Sequence, residues 1–216
     1  MDGNYRYKIN NIGVVYEDNY LLVVDKPSGL ITIPAPRKNR SLTSILNDYF
    51  RKRGSLLRLY PCHRLDQETS GLIIYSKGKS IQKMMMRLFK EKKVKKIYIG
   101  FVQGKMDRLK GKITFPIEGK SATTEYQVLQ VKKDFSIVEI FPLTGRRNQI
   151  RIHFKRVGHP LIGEDRFCFR RDFKLKYKRL CLHAKALNFV HPISGKLINL
   201  EIDLSEDLKK FLDKHA

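Results

Sequence analysis

Residues 61–76 read Pro61-Cys62-His63-Arg64-Leu65-Asp66-Gln67-Glu68-Thr69-Ser70-Gly71-Leu72-Ile73-Ile74-Tyr75-Ser76. A polar cluster of Arg64, Asp66, Thr69 and Ser70 stands immediately before Gly71 and the apolar run Leu72 to Tyr75. A short apolar run bounded by turn residues predicts a buried strand with a polar loop at its head. The strand presents a site. An aspartate in such a turn can act on a substrate, and it can equally cap the turn or pair with a nearby arginine, since Asp is common in turns for local hydrogen-bonding reasons. These residues alone leave both readings open.

Working outward, the segment HRLDQETSGLIIYSK, residues 63–77, resembles the pattern of the RluA-type pseudouridine synthases: HRLD, two variable residues, TSG and a hydrophobic strand. Four further segments are similar to that family in the same order. They are Val24-Asp25-Lys26-Pro27-Ser28-Gly29-Leu30, then Lys96-Ile97-Tyr98-Ile99-Gly100, then Thr144 through His153 (TGRRNQIRIH), and finally Leu182-His183-Ala184 with His191-Pro192-Ile193-Ser194-Gly195. Together they span about residues 21 to 200.

The resemblance implies the pseudouridine-synthase fold, an α+β architecture with a mixed, mostly antiparallel sheet, flanking helices and a central basic cleft. It implies isomerisation of uridine to pseudouridine in ribosomal or transfer RNA, with no cofactor and no metal. Asp66 matches the catalytic aspartate, Tyr98 the active-site tyrosine and Arg151 the basic residue that pairs with the aspartate. An opposite charge within ~4–6 Å would keep such a carboxylate ionised. Arg64 matches the arginine that enters the RNA in place of the flipped base, a task suited to a planar guanidinium. His63, Thr69, Arg146, Arg147 and Gln149 are the accompanying RNA-binding and base-flipping candidates. The family commonly has Thr-His where Arg147-Asn148 stand here. A catalytically idle RNA-binding or ribosome-assembly protein on the same fold is the alternative.

Composition points the same way. The 216 residues fit a single catalytic domain, 1–216, without the separate N-terminal RNA-binding module of many relatives. Lys plus Arg number 44 against 21 Asp plus Glu, so the chain carries +23 and calls for a polyanionic partner. RNA is favoured over membrane, because no run approaches the ~18 apolar residues of a spanning helix and no signal peptide opens the chain. The reading is a cytoplasmic monomer with no obligate protein partner. Three cysteines, Cys62, Cys168 and Cys181, form no Cys-x-x-Cys pair, which argues against a disulfide framework and a zinc ribbon. A nuclease would need a second acidic cluster beside Asp66 and Glu68 to hold two metals, and the sequence offers none.

In chain order, the pattern predicts strands over 13–17 and 20–25 and a helix from Ser41 to about Arg51, ended by Gly54. A second helix opens at Ser80, with Ile81, Met84, Met85, Leu88 and Phe89 on its apolar face and the methionines filling the core. Lys83, Arg87, Lys90, Lys92, Lys93, Lys95 and Lys96 form a basic run in which Lys92, Lys93, Lys95 and Lys96 are phosphate-contact candidates. Strands follow over 113–117, 123–131 and 135–141, then a helix over 145–157 carrying Arg146, Arg147, Arg151, Lys155 and Arg156. The loop through Asp172, with Arg166, Phe167, Phe169, Arg170 and Arg171, has a basic, aromatic composition suited to RNA, and Arg166 is a further phosphate-contact candidate. Strands near 180–190 and 197–202 and a helix capped by Ser205 complete the reading.

Overall fold

The computed structural model describes residues 5–35, 40–168 and 175–215. The chain divides into two compact units, neither continuous in sequence: Met1–Val94 with Lys185–Asp203, and Lys95–Ala184 with Leu204–Ala216. Together they carry eleven strands and four helices among the described residues. It is an α+β fold whose sheet is mostly antiparallel.

In the first unit, β1 (Tyr7–Ile9), β2 (Ile12–Glu17), β3 (Leu21–Lys26), β4 (Tyr60–Pro61) and β5 (Ser70–Ser76) precede the later part of β10 (Leu182–Val190) and β11 (Leu197–Glu201). The strand order is β1-β2-β3-β5-β10, with β4 against β5 and β11 against β10. Leu21 to Val24 and the whole of β5 are buried, the near-continuous apolar pattern of strands covered on both faces. Burying a Leu or Ile side chain contributes about 1.5–3 kcal/mol, so β5 is the anchor of this unit. Its register against β3 pairs Val24 with Ile73 and Lys26 with Gly71, where φ of +112° is open only to glycine.

Helix α1 (Leu42–Lys52) starts at Ser41, as predicted, through a capping box: Ser41 Oγ accepts the Ser44 N–H and Ser44 Oγ accepts the Ser41 N–H. It ends at Arg53, and Gly54 follows at φ +73°. Helix α2 (Lys79–Lys90) has Gly78 at its cap position with no side-chain cap bond, so it starts one residue before the expected Ser80. Ile81 and Met85 are buried, with Leu88 and Phe89 packed on the same cluster. Met84 and Met86 are exposed, contrary to the core-filling reading, because the i, i+4, i+7, i+8 stripe turns them outward.

The second unit carries β6 (Lys95–Gln103), β7 (Lys110–Ile113), β8 (Thr124–Val131) and β9 (Phe135–Pro142) in the order β6-β9-β8-β7. The predicted strand over 113–117 is replaced by β7, with Ile117 only in an isolated bridge to Lys120. Helix α3 (Gln149–Arg156) begins four residues later than predicted, because Thr144–Asn148 form a turn ending in the left-handed Asn148. Asn adopts that conformation more readily than most residues, which accounts for it at this position. Ile99, Phe101, Phe135, Ile137 and Ile162 pack with Leu208 and Phe211 of α4 (Glu206–Lys214). Ser205 occupies the cap position of α4 without a side-chain cap bond. No helix of the described residues is long and apolar enough to cross a membrane. Cys62, Cys168 and Cys181 form no disulfide among the described residues, and burial pushes the Cys62 thiol up to about 12.

Candidate active site

In the first unit the loop from Cys62 to Thr69 is fixed at both ends and along its length. The Cys62 N–H donates to the Ile74 carbonyl, and the Ile74 N–H donates back to His63 Nε2 at 3.0 Å. His63 packs on Phe89 with ring centroids 4.8 Å apart. A ring nitrogen that accepts from a strand N–H is committed to the protein, so His63 shapes the loop rather than reading RNA with that atom.

The Lys26-to-Thr32 segment clamps the other side. Lys26 is wholly buried, and its ammonium donates to the carbonyls of Pro27 (2.9 Å), Leu30 (2.8 Å) and Gln67 (3.1 Å). The Gly29 N–H also donates to the Gln67 carbonyl, Gln67 Nε2 returns to the Gly29 carbonyl, and Ser28 Oγ donates to the Glu68 carbonyl. Thr32 Oγ1 donates to the Leu65 carbonyl and accepts its N–H. A buried cation satisfied by three carbonyls is stable where an unpaired one would not be. The consequence is a rigid frame for Asp66, whose carbonyl accepts the Thr69 N–H.

On that frame Asp66 is partly exposed and Arg64 is exposed. Arg64 forms no hydrogen bond or ion pair among the described residues. Thr69 is 2% exposed, and its hydroxyl has no hydrogen-bond partner among the described residues.

In the second unit, Tyr98 lies on β6 opposite Ile140 of β9 and is 8% exposed. Gln149, expected to bind RNA, is buried with its amide spent on protein: Oε1 accepts from Thr144 Oγ1 and the Arg146 N–H, and Nε2 donates to the Thr123 carbonyl and Thr124 Oγ1. It braces the Thr144–Asn148 turn, which leaves Arg146 and Arg147 exposed. Arg146 Nε donates to the Ser121 carbonyl.

Arg151 faces inward from α3. It is 1% exposed and meets Glu164 in a two-pronged ion pair, Nε to Oε2 and Nη2 to Oε1, both at 2.7 Å. Burial alone would raise the Glu164 carboxyl. The Arg151 guanidinium, with the N–H groups of Arg166 and Phe167, outweighs it and holds the group below its ordinary range. The Phe167 ring lies under both Arg151 and Arg166, with guanidinium carbons 5.3 and 5.6 Å from its centre. Glu164 was missed from sequence, and so were Lys26 and Thr32 in the loop clamp.

The basic run is not uniform. Lys83, Lys92 and Lys95 are exposed, whereas Arg87 and Lys93 share Glu91. Lys96 belongs to β6, is half-buried, and is lowered to about 8 by burial. Arg166 is exposed, while Phe169, Arg170 and Arg171 lie outside the described residues. Among the described residues no group of His, Cys, Asp and Glu could hold a metal ion. An open cavity of about 530 Å³ bounded by Tyr7, Lys8, Glu17, Tyr49, Phe50 and Arg53 includes none of the candidate residues.

The sequence profile of the RNA pseudouridylate synthases matches residues 20–156. The chain is 36% identical over 208 residues to the dual-specificity RNA pseudouridine synthase RluA of Haemophilus ducreyi, covering 88% of this chain and 91% of that one. It is 33% identical over 201 residues to the protein of the same name from Escherichia coli strain K12, covering 84% and 88%. Among solved structures, human RNA pseudouridylate synthase domain containing 4 aligns with a TM-score of 0.80 at 23% identity, covering 94% of this chain and 92% of that one.

Proposed function

The chain belongs to the RluA-type RNA pseudouridine synthases, and on that premise we propose that it isomerises a specific uridine in ribosomal or transfer RNA with Asp66 as the reacting carboxylate. The observation that carries this reading is the clamped loop, which holds a partly exposed aspartate two residues after an exposed arginine at the head of the buried strand β5.

In the reaction the bond from uracil N1 to the ribose is broken, the base turns, and carbon 5 is joined to the same sugar carbon, losing its proton while N1 takes one up. A carboxylate can attack the sugar or remove a sugar proton, and both routes need the ionised form. The target must first leave its stack at a cost of a few kcal/mol, and Arg64 supplies the guanidinium that fills the gap. Tyr98 and Arg151 complete the set through the resemblance of their segments, with Arg151 fixed in orientation by Glu164. Exposed Arg146, Arg147, Lys92, Lys95 and Arg166 contact phosphates. The enzyme works in the cytoplasm as a monomer.

Asp66→Asn tests the reading. Tritium release from RNA labelled at uridine carbon 5 should be abolished while RNA affinity changes by no more than a few fold, since the change removes the carboxylate and little volume. Parental activity in the purified variant would overturn it.

A further inference from the structure

Strongly buried cations in this protein have identified acceptors. Lys26 donates to three carbonyls, Arg151 pairs with Glu164, Lys77 with Glu17 at 2.6 Å, and Arg179 with Asp207 at 2.8 Å. Lys96 is the contrast: it is half-buried on β6, where burial lowers its pKa, yet no hydrogen bond or ion pair among the described residues reaches its ammonium. Removing an ammonium from water without an acceptor is unfavourable, so a site that tolerates it gains most when an anion arrives.

Its surroundings suit an anion. Lys96 Nζ lies 3.8 Å from where a Cβ on Gly145 would stand. Gly145 is exposed, leaving that side unblocked, and it opens the stretch Gly145-Arg146-Arg147-Asn148, which carries two cations and no carboxylate. Lys96 is also two residues from Tyr98 on β6, so the two share a strand face about 7 Å apart.

We propose that Lys96 is a substrate-binding residue, distinct from the solvated lysines around it, that grips a single backbone phosphate beside the uridine received at Tyr98. The assignment rests on the RNA pseudouridine synthase reading. It separates Lys96 from Lys92, Lys93 and Lys95, whose solvated ammoniums position the RNA backbone away from that phosphate.

The test pairs a protein change with an RNA change. Lys96→Met and Lys96→Gln are compared with the parent in single-turnover assays on a short substrate RNA, intact or carrying one neutral methylphosphonate at successive positions around the target uridine. Losing one charge-assisted contact should slow the parent about ten- to hundredfold at one flanking position. Both variants should show a loss of that size on intact RNA and no further loss from the same methylphosphonate. Lys96→Arg should retain part of the activity. Replacing Lys92, Lys93 and Lys95 with Gln should leave the methylphosphonate profile of the parent in place. Additive losses at every position, or variants with parental rates, would overturn the assignment. A parent that forms no pseudouridine would instead refute the functional reading, and a parent that is active without a sensitive phosphate refutes only the role of Lys96.

Discussion

Replacing Glu164 with Gln keeps its shape and removes the charge that holds Arg151. The amide retains one acceptor oxygen, but its NH2 group meets a guanidinium edge that also donates, so one of the two bonds at 2.7 Å is lost and the buried cation is left undercompensated. Breaking a buried pair on one side costs about 3–5 kcal/mol. Against a typical stability of about 5–15 kcal/mol, that is a large fraction. For a chain of this length it should lower the melting temperature by roughly 6–20 °C. Asp165, 3.9 Å from Arg151 Nη2 and half-exposed, is a second carboxylate beside the guanidinium, so Asp165→Asn is made in parallel. Urea unfolding and single-turnover pseudouridine formation are measured on each variant and on the double variant. A Glu164→Gln cost below ~1 kcal/mol, not increased by the second change, would refute the view that this pair fixes Arg151. The pair also has a pH sign. Because the folded carboxyl is depressed, its contribution is fully present above the unfolded value of about 4.3 and is lost as pH falls through the folded value. The stability advantage of the parent over Glu164→Gln should therefore shrink on acidification and stay constant between pH ~6 and ~8.

Lys26→Met should leave the Pro27 and Leu30 carbonyls without the ammonium and cost about 2–6 kcal/mol by urea titration, from ~1–3 kcal/mol for each buried group left unpaired; an unchanged midpoint would show that the clamp is dispensable. Thr69→Val removes a hydroxyl that has no hydrogen-bond partner among the described residues, so stability should hold or rise by up to ~1 kcal/mol, and a clear loss in thermal unfolding would contradict that account. With roughly five to eight phosphate contacts, RNA affinity should fall by about two to four orders of magnitude between ~50 and ~200 mM salt. Replacing Lys92, Lys93 and Lys95 with Gln should flatten that slope, with Lys93 contributing least because Glu91 already holds it, and a parental slope in this variant would remove these lysines from the interface.

The loop and strand around Asp66 were legible because their signals are local: turn residues, one glycine and a continuous apolar run. The family pattern carried the rest of the fold, and fold neighbours at TM-scores of 0.80 and 0.72 agree with it. The partners that hold the site rigid were not legible. Lys26 reaches Gln67 across 41 positions, and nothing in the sequence near either residue announces that contact. Glu164 sits in a non-periodic loop, so its pairing with Arg151 could not be read from spacing, and the family pattern offered only Asp66 as a partner for Arg151. The start of α3 was misplaced because the Thr144–Asn148 turn is stabilised by Gln149 folding back on it, a side-chain effect that hydrophobic periodicity does not report. The same fold-back is why the bracing role of Gln149 was not legible beside its expected RNA contact.

The division of the chain into two units bears on how it is made. The polypeptide passes from one unit to the other after Val94, after Ala184 and after Asp203, so the first unit lacks β11 and most of β10 until its last segment is synthesised. The intervening stretch takes on the order of 5–20 s to translate at ~5–20 residues per second. Throughout that interval β5, which the finished fold buries along its whole length, has a vacant edge where β10 will dock. Such an edge is a template for pairing with other nascent chains. Production of this protein should therefore be most vulnerable during elongation, with chains truncated between residues 95 and 184 aggregating while full-length chains remain in solution.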